Sequence, residues 1–218
     1  MFRNYLVTAL HNILRHKLYS FINIAGLGVG LACAIFIALY LHDELSYDKW
    51  IADSQNIYRI EETFYFPDGP PQFFDQTSFP ATIAMQAEIP EVVEHTHLIP
   101  ERMTAQVGDR LFPASVDAVD PNFFQMIKLP LVKGDPATVL AQPESIVLSQ
   151  ATARKFFGSA DPLGKTVTLG GTHPVTVTGV LRDLPHNTQL AADLVVPNTS
   201  KADTFSLEAR KGWFHSNG

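Results

Sequence analysis

Residues 18–41 read LYSFINIAGLGVGLACAIFIALYL, a continuous run of mostly apolar and small residues with no formal charge. A helix rises about 1.5 Å per residue, so a run of this length can cross the roughly 30 Å hydrocarbon core of a bilayer with some tilt. The run therefore predicts one transmembrane helix over residues 18–41. Its predicted membrane-spanning residues include Leu18, Phe21, Gly26, Gly30 and Leu41.

Two other interpretations of this run fit less well. A cleaved signal peptide needs an apolar region of about 7–15 residues followed by a small-x-small cleavage site, whereas Ala32-Cys33-Ala34 lies inside the apolar region. A lipoprotein signal ending at Cys33 needs a Leu-small-small-Cys box, which Gly30-Leu31-Ala32 does not supply. We interpret the run as an uncleaved anchor. Its glycines either pack against another membrane helix or are ordinary glycines of a membrane span.

The charges on either side of the run predict its orientation. Basic residues precede it and acidic residues follow it: Arg3, Arg15 and Lys17 on one side, Asp43, Glu44 and Asp48 on the other. Because lysine and arginine are retained on the cytoplasmic side of a membrane, the amino terminus is predicted to be cytoplasmic. Residues 42–218 are then outside, which in a bacterium with this inner-membrane anchor means the periplasm.

Residues 1–17 predict an amphipathic helix at the cytoplasmic face. Apolar residues recur at intervals of three and four along one face, and polar and basic residues occupy the other. Such a helix beside a span lies along the inner leaflet, with its apolar face in the lipid headgroup boundary. The alternative is that it continues the membrane helix into the cytosol. Its expected interfacial residues are Phe2, Leu6, Leu10 and Ile13.

The composition argues against a nucleic-acid-binding protein and against a disulfide-stabilised domain. A net charge of −6 and a pI near 5.7 provide no basic surface for a nucleic acid. The single cysteine, Cys33, excludes a disulfide within the chain, although an exported compartment would permit one. The exported part must therefore be held together by its apolar core.

The patterns in residues 42–218 predict an α+β domain of small lobes. Residues 150–157 predict a helix that Ser149 caps and Gly158 ends, and Gly170-Gly171 predicts the turn of a β-hairpin. The predicted strands are 56–66, 92–99, 103–107, 110–117, 145–148, 165–169, 175–181 and 194–196, with further helical segments at 80–89 and 120–126.

Two patterns suggest chemistry without completing a site. Residues 158–166, GSADPLGKT, end like a P-loop, but five residues separate the glycines where the motif has four. The segment also follows a helix and precedes a strand, so no helix amino terminus faces a phosphate. We predict a turn at this position and no nucleotide site.

The second pattern contains Glu91, Glu94, His95 and His97. On a strand the two histidines point to one face and Glu94 to the other, so only two metal ligands converge. A serine-nucleophile elbow is also missing from the sequence. We predict no catalytic residue, metal or cofactor, and thus no enzyme.

Several short motifs follow one another in order along the chain. They are NYL at 4–6, AL at 9–10, NI at 12–13, RHKLYSFINIAGL at 15–27, GLAC at 30–33, DELSYD at 43–48, VDPNFF at 119–124, SIVLS at 145–149, FG at 157–158, DPLGK at 161–165 and PHNT at 185–188. In this order and spacing they resemble the amino-terminal part of a MacB/FtsX-type ABC transporter permease.

The resemblance implies a first transmembrane helix, a periplasmic MacB-like core domain over 42–218 that is incomplete, and further membrane helices beyond Gly218. It implies a cytoplasmic ABC ATPase subunit as partner, lipid contact, a homodimer or a pseudo-dimer with a second permease half, and a periplasmic partner. ATP hydrolysis would then move the periplasmic domain to export peptides, lipoproteins or drugs. The alternative is a membrane-anchored periplasmic sensor domain of a signalling protein.

Overall fold

The computed structural model describes residues 5, 7, 11, 14–67, 69–74, 77–188, 190 and 193–201. The chain divides into two compact units, Met1–Tyr47 and Asp48–Gly218. The first unit contains one long apolar helix, and the second contains a mixed assembly of helices and strands. An α+β fold that follows an amino-terminal apolar helix is therefore confirmed.

The long helix of the first unit, α1, runs from Lys17 to Leu45 over 29 residues. At about 1.5 Å per residue it is about 44 Å long, more than a bilayer core requires. It includes the whole predicted run, and its mean hydropathy reaches 2.4. Its carboxyl end is marked by Ser46, whose backbone amide and hydroxyl both donate to the carbonyl of Asp43, at 3.1 and 2.7 Å. The sequence after the span, HDELSYDKW at 42–50, predicts that the helix continues to Trp50, but the helix ends at Leu45 and residues 46–50 form turns.

The second unit begins with a 3-10 turn and a small hairpin. The remaining elements alternate strands with short helices. In chain order they are the 3-10 turn Ser54–Asn56, β1 Glu62–Phe64, β2 Gln72–Phe74, α2 Phe79–Glu88, β3 Leu98–Val107, β4 Arg110–Val119, α3 Phe123–Met126, β5 Leu131–Lys133, β6 Ser145–Ser149, α4 Gln150–Phe157, β7 Thr166–Leu169, β8 His173–Leu181 and β9 Leu194–Pro197.

Seven of these strands form one sheet in the order β5-β8-β6-β9-β4-β3-β7. Strand β7 also pairs with β8, so six strands close into a ring and β5 is attached outside it, to β8. The pairs β4–β9 and β6–β8 are parallel and the other pairs are antiparallel. Strands β1 and β2 form a separate two-stranded antiparallel sheet.

Two apolar clusters cover the two faces of the central strands. Ile146 and Leu148 of β6 belong to the first cluster, whereas Val147 between them belongs to the second. Because alternate residues of a strand point to opposite faces, β6 is buried on both sides. This double burial explains why residues 146–148 of the strand are all apolar instead of alternating with polar residues.

The local signals at α4 and at the β7–β8 hairpin are confirmed. The hydroxyl of Ser149 accepts a hydrogen bond from the amide of Thr152 at 3.1 Å, and Gly158 ends the helix with a positive φ of 64°. The β7–β8 turn contains Gly170 and Gly171, whose φ values of 58° and 77° favour glycine.

The strand predicted at 92–99 is wrong for residues 92–97, which have no regular secondary structure. Three of their backbone groups bond to side chains, and the amide of Val92 donates to the carbonyl of Ile89. The carbonyl of Val93 accepts from Gln86, the carbonyl of His95 accepts from Asn122, and the amide of His97 donates to Asp120. These contacts come from distant parts of the sequence, so no local pattern reveals them.

Two other strand predictions need correction. The strand predicted at 56–66 is limited to β1, and the strand predicted at 103–107 is one strand, β3, with the last two residues of the segment predicted at 92–99. Pro100 interrupts the sequence pattern but not β3, because β3 bonds to β7 only at Ala105 and Gln106. Pro100 therefore lies where one edge of β3 is open, which is where a strand tolerates proline. The short strands β2 and β5 were not predicted.

Candidate functional site

The predicted membrane-spanning residues all lie on α1, and no residue of this helix is buried within the chain. Leu18, Phe21 and Leu41 expose 75, 69 and 50% of their surface. A methyl group added at Gly26 or Gly30 would meet no atom within 4 Å. A continuous apolar surface of this size needs a covering phase or partner. The predicted interfacial residues Phe2, Leu6, Leu10 and Ile13 lie outside the described residues.

The segment that follows α1 in the sequence is fastened to the sheet unit by polar contacts. The amide of Asp48 donates to the carbonyl of Asn187 at 3.1 Å, and the hydroxyl of Thr188 donates to the carboxylate of Asp48 at 2.5 Å. Asp53 forms an ion pair with Lys128. The motifs DELSYD and PHNT thus meet at Asp48, and the second motif fixes the start of the sheet unit.

Apolar contacts fasten the same segment. Trp50, Ile51 and Ile57 pack against the second apolar cluster, which contains Phe124 and Leu181. This segment, residues 48–57, is called the linker segment below.

Three non-glycine residues in these contacts adopt left-handed backbone conformations. The φ angles of Asp48, Asp53 and Lys128 are 55°, 59° and 54°. Such conformations are uncommon for residues with a Cβ, and they persist where the surrounding contacts hold them. Here the contacts of the linker segment hold all three. The start of the sheet unit is therefore held in one backbone conformation by contacts within that unit.

A polar cluster lies where α2 meets the ends of β3 and β4. His97 is at its centre: its Nδ1 lies 2.7 Å from a carboxylate oxygen of Asp120, and its Nε2 lies 2.8 Å from the hydroxyl of Thr82. The ring stacks on Phe79 with centroids 3.9 Å apart. The ring of His95 is 5.4 Å away and nearly perpendicular. His95, His97 and Asp120 are called the histidine cluster below.

The carboxylate of Asp120 is the anchor of this cluster. It accepts hydrogen bonds from the amide and the ring of His97, both at 2.7 Å, and from the side-chain amide of Asn198. Burial by itself would raise the pKa of Asp120, but the hydrogen bonds and charge of His97 and the bond from Asn198 outweigh it and hold the pKa below its ordinary value. Asp120 is therefore a carboxylate at neutral pH.

Sequence reasoning recovers the histidines of this cluster but not its carboxylate. Glu91 and Glu94 are exposed and are not part of it. The sequence places Asp120 at the start of the helical segment predicted at 120–126, yet its side chain faces His97, 23 positions earlier. The signal in the sequence was that Asp120 lies in the VDPNFF motif. Asn122 of the same motif contacts the carbonyl of His95 in the structure.

The P-loop-like segment forms a turn between α4 and β7, and its amides bond within the chain. The amide of Gly164 donates to Val177 at 2.8 Å, and that of Leu163 donates to the carboxylate of Asp161 at 3.1 Å. Asp161 also forms an ion pair with Lys133. Amides that already serve the chain's own acceptors do not form a phosphate cradle.

Comparison with known proteins identifies relatives of both the helix and the sheet unit. A family model described as the MacB-like periplasmic core domain matches residues 20–214. Among solved structures, the chain is similar to a domain of a candidate permease protein from Porphyromonas gingivalis. The two are 26% identical with a TM-score of 0.58, over 71% of this chain and 65% of that one. A comparison with curated proteins returned no match.

Two solved domains of transporters are similar to part of this chain. The periplasmic region of MacB from Actinobacillus actinomycetemcomitans is 24% identical, with a TM-score of 0.39 over 48% of each chain. The extracellular domain of the noncanonic ABC-type transporter YknZ from Gram-positive bacteria is 26% identical, with a TM-score of 0.39 over 47% of this chain and 53% of that one. The chain thus spans less than two thirds of the first solved structure and about half of each of these two.

Proposed function

The chain belongs to the family of the MacB-like periplasmic core domain, and on that premise we propose that it forms the amino-terminal part of the permease subunit of an ABC transporter. One observation carries the proposal: a single family model covers most of α1 and the sheet unit together. A sensor domain of unrelated type would share the apolar helix but not this continuous match.

The proposed location is the inner membrane of a bacterium. The helix α1 crosses the bilayer through residues 18–41, residues 1–17 lie along the cytoplasmic face, and the sheet unit is periplasmic. The exposed apolar surface of α1 supports lipid contact, and the charge difference between its flanks supports this orientation.

The proposed partners are a cytoplasmic ABC ATPase, a second permease half or a second copy, and a periplasmic protein. ATP hydrolysis by the partner supplies the energy, and this chain contributes a moving part and no catalytic group. The cargo class is peptides, lipoproteins or drugs, exported or expelled from the cell.

The linker segment supports a mechanical role. It begins three positions after the last residue of α1, and it contacts the second apolar cluster as well as Asn187 and Thr188. A displacement of the membrane helices during ATP hydrolysis would reach the sheet unit through a segment whose backbone is fixed. Coupling of this kind requires two states whose balance both sites bias.

Orientation is tested with single cysteines in a Cys33→Ala background. Ser159→Cys places a thiol on an exposed turn of the sheet unit, and His11→Cys places one before α1. We expect a membrane-impermeant maleimide to label the first variant in intact spheroplasts and the second only after lysis. The opposite pattern would contradict the proposed orientation, and equal labelling of both would contradict a membrane span.

Transporter function is tested by purifying the complete permease from its own cells. We expect an ABC ATPase to co-purify and the complex to hydrolyse ATP. Replacing Leu6, Leu10 and Ile13 together by aspartate should then uncouple hydrolysis from transport and leave the sheet unit folded. Recovery of a complete protein with one further span and a histidine-kinase module, and no ATPase, would establish the sensor and overturn the permease.

A further inference from the structure

The histidine cluster plays no part in the proposed transport mechanism. His95, His97 and Asp120 each offer one ligand atom, and these atoms lie within 4.8 Å of one another. All three residues are half-buried, with the His97 and Asp120 side chains exposed by 10 and 21%. We propose that the histidine cluster is a binding site for a divalent transition-metal ion of the zinc type.

The hydrogen bonds around His95 determine which of its nitrogens can bind a metal. The amide nitrogen of Gln86 donates to the carbonyl of Val93 at 2.8 Å, which orients the Gln86 side chain. Its amide oxygen therefore faces Nδ1 of His95, 2.7 Å away. Because that oxygen only accepts, Nδ1 carries the proton and Nε2 keeps the lone pair. A metal-binding histidine commonly donates its other ring N–H to an oxygen acceptor in this way.

The ring of His97 is oriented by α2. The hydroxyl of Thr82 has one hydrogen, which it donates to the carbonyl of Phe79 at 3.1 Å. With its hydrogen committed, Thr82 accepts from Nε2–H of His97. The Nδ1 atom then faces the carboxylate of Asp120, and a metal ion can take the place of the proton between them. The stacked ring of Phe79 fixes the plane in which Nδ1 points.

Asp120 retains the capacity to coordinate. A carboxylate offers about four lone-pair positions, and Asp120 uses three of them for the His97 amide, the His97 ring and Asn198. The bond from Asn198 would persist beside a metal and keep the carboxylate oriented. Outer contacts of this kind position metal ligands.

The donor set determines the class of ion. Two imidazoles and one carboxylate suit zinc, iron, copper or nickel, whereas magnesium and calcium prefer oxygen alone and Cu(I) prefers sulfur. Metal–ligand bonds of about 2.0–2.2 Å place neighbouring ligands of a tetrahedral ion about 3.4 Å apart. His97 Nδ1 and the Asp120 oxygen, now 2.7 Å apart, must therefore separate to admit the ion. His95, the member held through the exposed side chain of Gln86, must rotate to bring its free nitrogen to the same spacing. Water would complete the coordination.

The proposed ion would join three segments of the sheet unit. His95 and His97 precede β3, Asp120 follows β4, and Gln86 and Thr82 of α2 hold the two histidine rings. Metal binding would therefore strengthen the attachment of α2 to the ring of strands. This inference is independent of the transporter proposal, because it concerns only contacts within the sheet unit.

The experiment uses the full chain in detergent, purified through a tag without histidine and stripped with a chelator. Co²⁺, which reports nitrogen and oxygen ligands by its visible absorption, is titrated first, and Zn²⁺ is then used to displace it. We expect saturable binding of one ion. His95→Gln should weaken Zn²⁺ binding at least about tenfold, and Gln86→Leu should weaken it about 10–100-fold through the orientation of His95.

The matched control is His173→Gln, the same change at a histidine of β8 outside the cluster. It should leave Zn²⁺ affinity unchanged. Urea unfolding of the metal-free variants, with unchanged midpoints, shows that a weakened affinity is not a folding defect. An absent Co²⁺ spectrum in the unaltered chain, or equal affinities for the unaltered chain and His95→Gln, would overturn the metal site.

Discussion

The ring of strands and the small lobe formed by β1, β2 and α2 belong to one unit but are held together differently. In the ring, Ile146 and Leu148 are fully buried, and Phe156 of α4, in the same apolar cluster, is 1% exposed. In the small lobe, every residue of β2 is exposed, and the described part of α2 buries only Thr82. The ring is stabilised by apolar burial, and the small lobe depends far less on it.

The small lobe is held mainly by hydrogen bonds between side chains and to the backbone. Glu62 of β1 accepts a hydrogen bond from the hydroxyl of Thr77 and lies 3.3 Å from the amide of Ser78 at the start of α2. At the other side, Thr82 and Gln86 contact the two histidines. Each such bond contributes about 1 kcal/mol, so a few residues decide how this lobe sits on the ring. The difference suggests that the lobe is the adjustable region and the ring the rigid one.

The largest expected difference in unfolding free energy is between a phenylalanine packed on the ring and one in the small lobe. Phe156 is 1% exposed and Phe73 of the small lobe is 82% exposed. Phe156→Ala leaves a cavity in the first apolar cluster and should lower the free energy of unfolding by about 3–5 kcal/mol. Phe73→Ala should change it by less than about 0.5 kcal/mol. Urea unfolding of the detergent-solubilised chain measures both, and a comparable loss in the two variants would contradict the comparison.

The ring also contains a buried charge, and its removal should stabilise the protein. Burial, and to a lesser extent the charge of Asp193, raises the pKa of Asp117 from 3.8 to about 6. Because the folded-state pKa is raised, Asp117 favours the folded state below about pH 4, and this contribution is lost as the pH rises to about 6. Asp117→Asn should therefore raise the free energy of unfolding at pH 7 by up to about 3 kcal/mol.

The pH dependence is the check on this prediction. The gain in Asp117→Asn should shrink as the pH falls from 6 towards 4, because Asp117 itself becomes neutral there. Asp109→Asn, the same change in the exposed β3–β4 turn, should stay within about 0.5 kcal/mol of the unaltered chain throughout. A gain for Asp117→Asn that does not vary with pH would show that charge burial is not its cause.

The smallest expected change in stability comes from replacing the serines that precede α4 and α2. Ser149 caps α4 through a bond from the amide of Thr152, so Ser149→Ala should cost about 1 kcal/mol. Ser78 precedes α2 without a capping bond, and its buried hydroxyl has no hydrogen-bond partner among the described residues. Ser78→Ala should therefore be neutral or slightly stabilising. A loss in Ser78→Ala equal to that in Ser149→Ala, measured by urea unfolding, would show that α2 is capped as well.

Short-range signals predicted the elements whose stability is local. Helix α4 agrees with prediction at both ends, because Ser149 and Gly158 act within one turn of the helix. The β7–β8 turn follows from two glycines that adopt positive φ angles. The six-strand ring has no such signal, because the pairing of β7 with β8 and of β4 with β9 depends on how distant segments meet.

The histidine cluster was likewise only partly predictable from the sequence. The histidines at 95 and 97 are visible in the sequence, but their partners Thr82, Gln86 and Asp120 come from α2 and from the end of β4. The strand predicted at 92–99 fails over residues 92–97 for this reason: three backbone groups there bond to side chains that the folded structure brings to them. The orientation of α1 and the interfacial residues before it stay predictions.

By itself the sequence determined the apolar helix, the α+β class and the family resemblance. Each of these follows from composition, from local periodicity or from motifs in a fixed order, none of which requires knowledge of distant contacts. Only the tertiary structure decided the closure of the ring, the strained attachment at Asp48 and the assembly of the histidine cluster. Those features arise from hydrogen bonds and packing between residues far apart in the chain, which form only when the whole unit has folded.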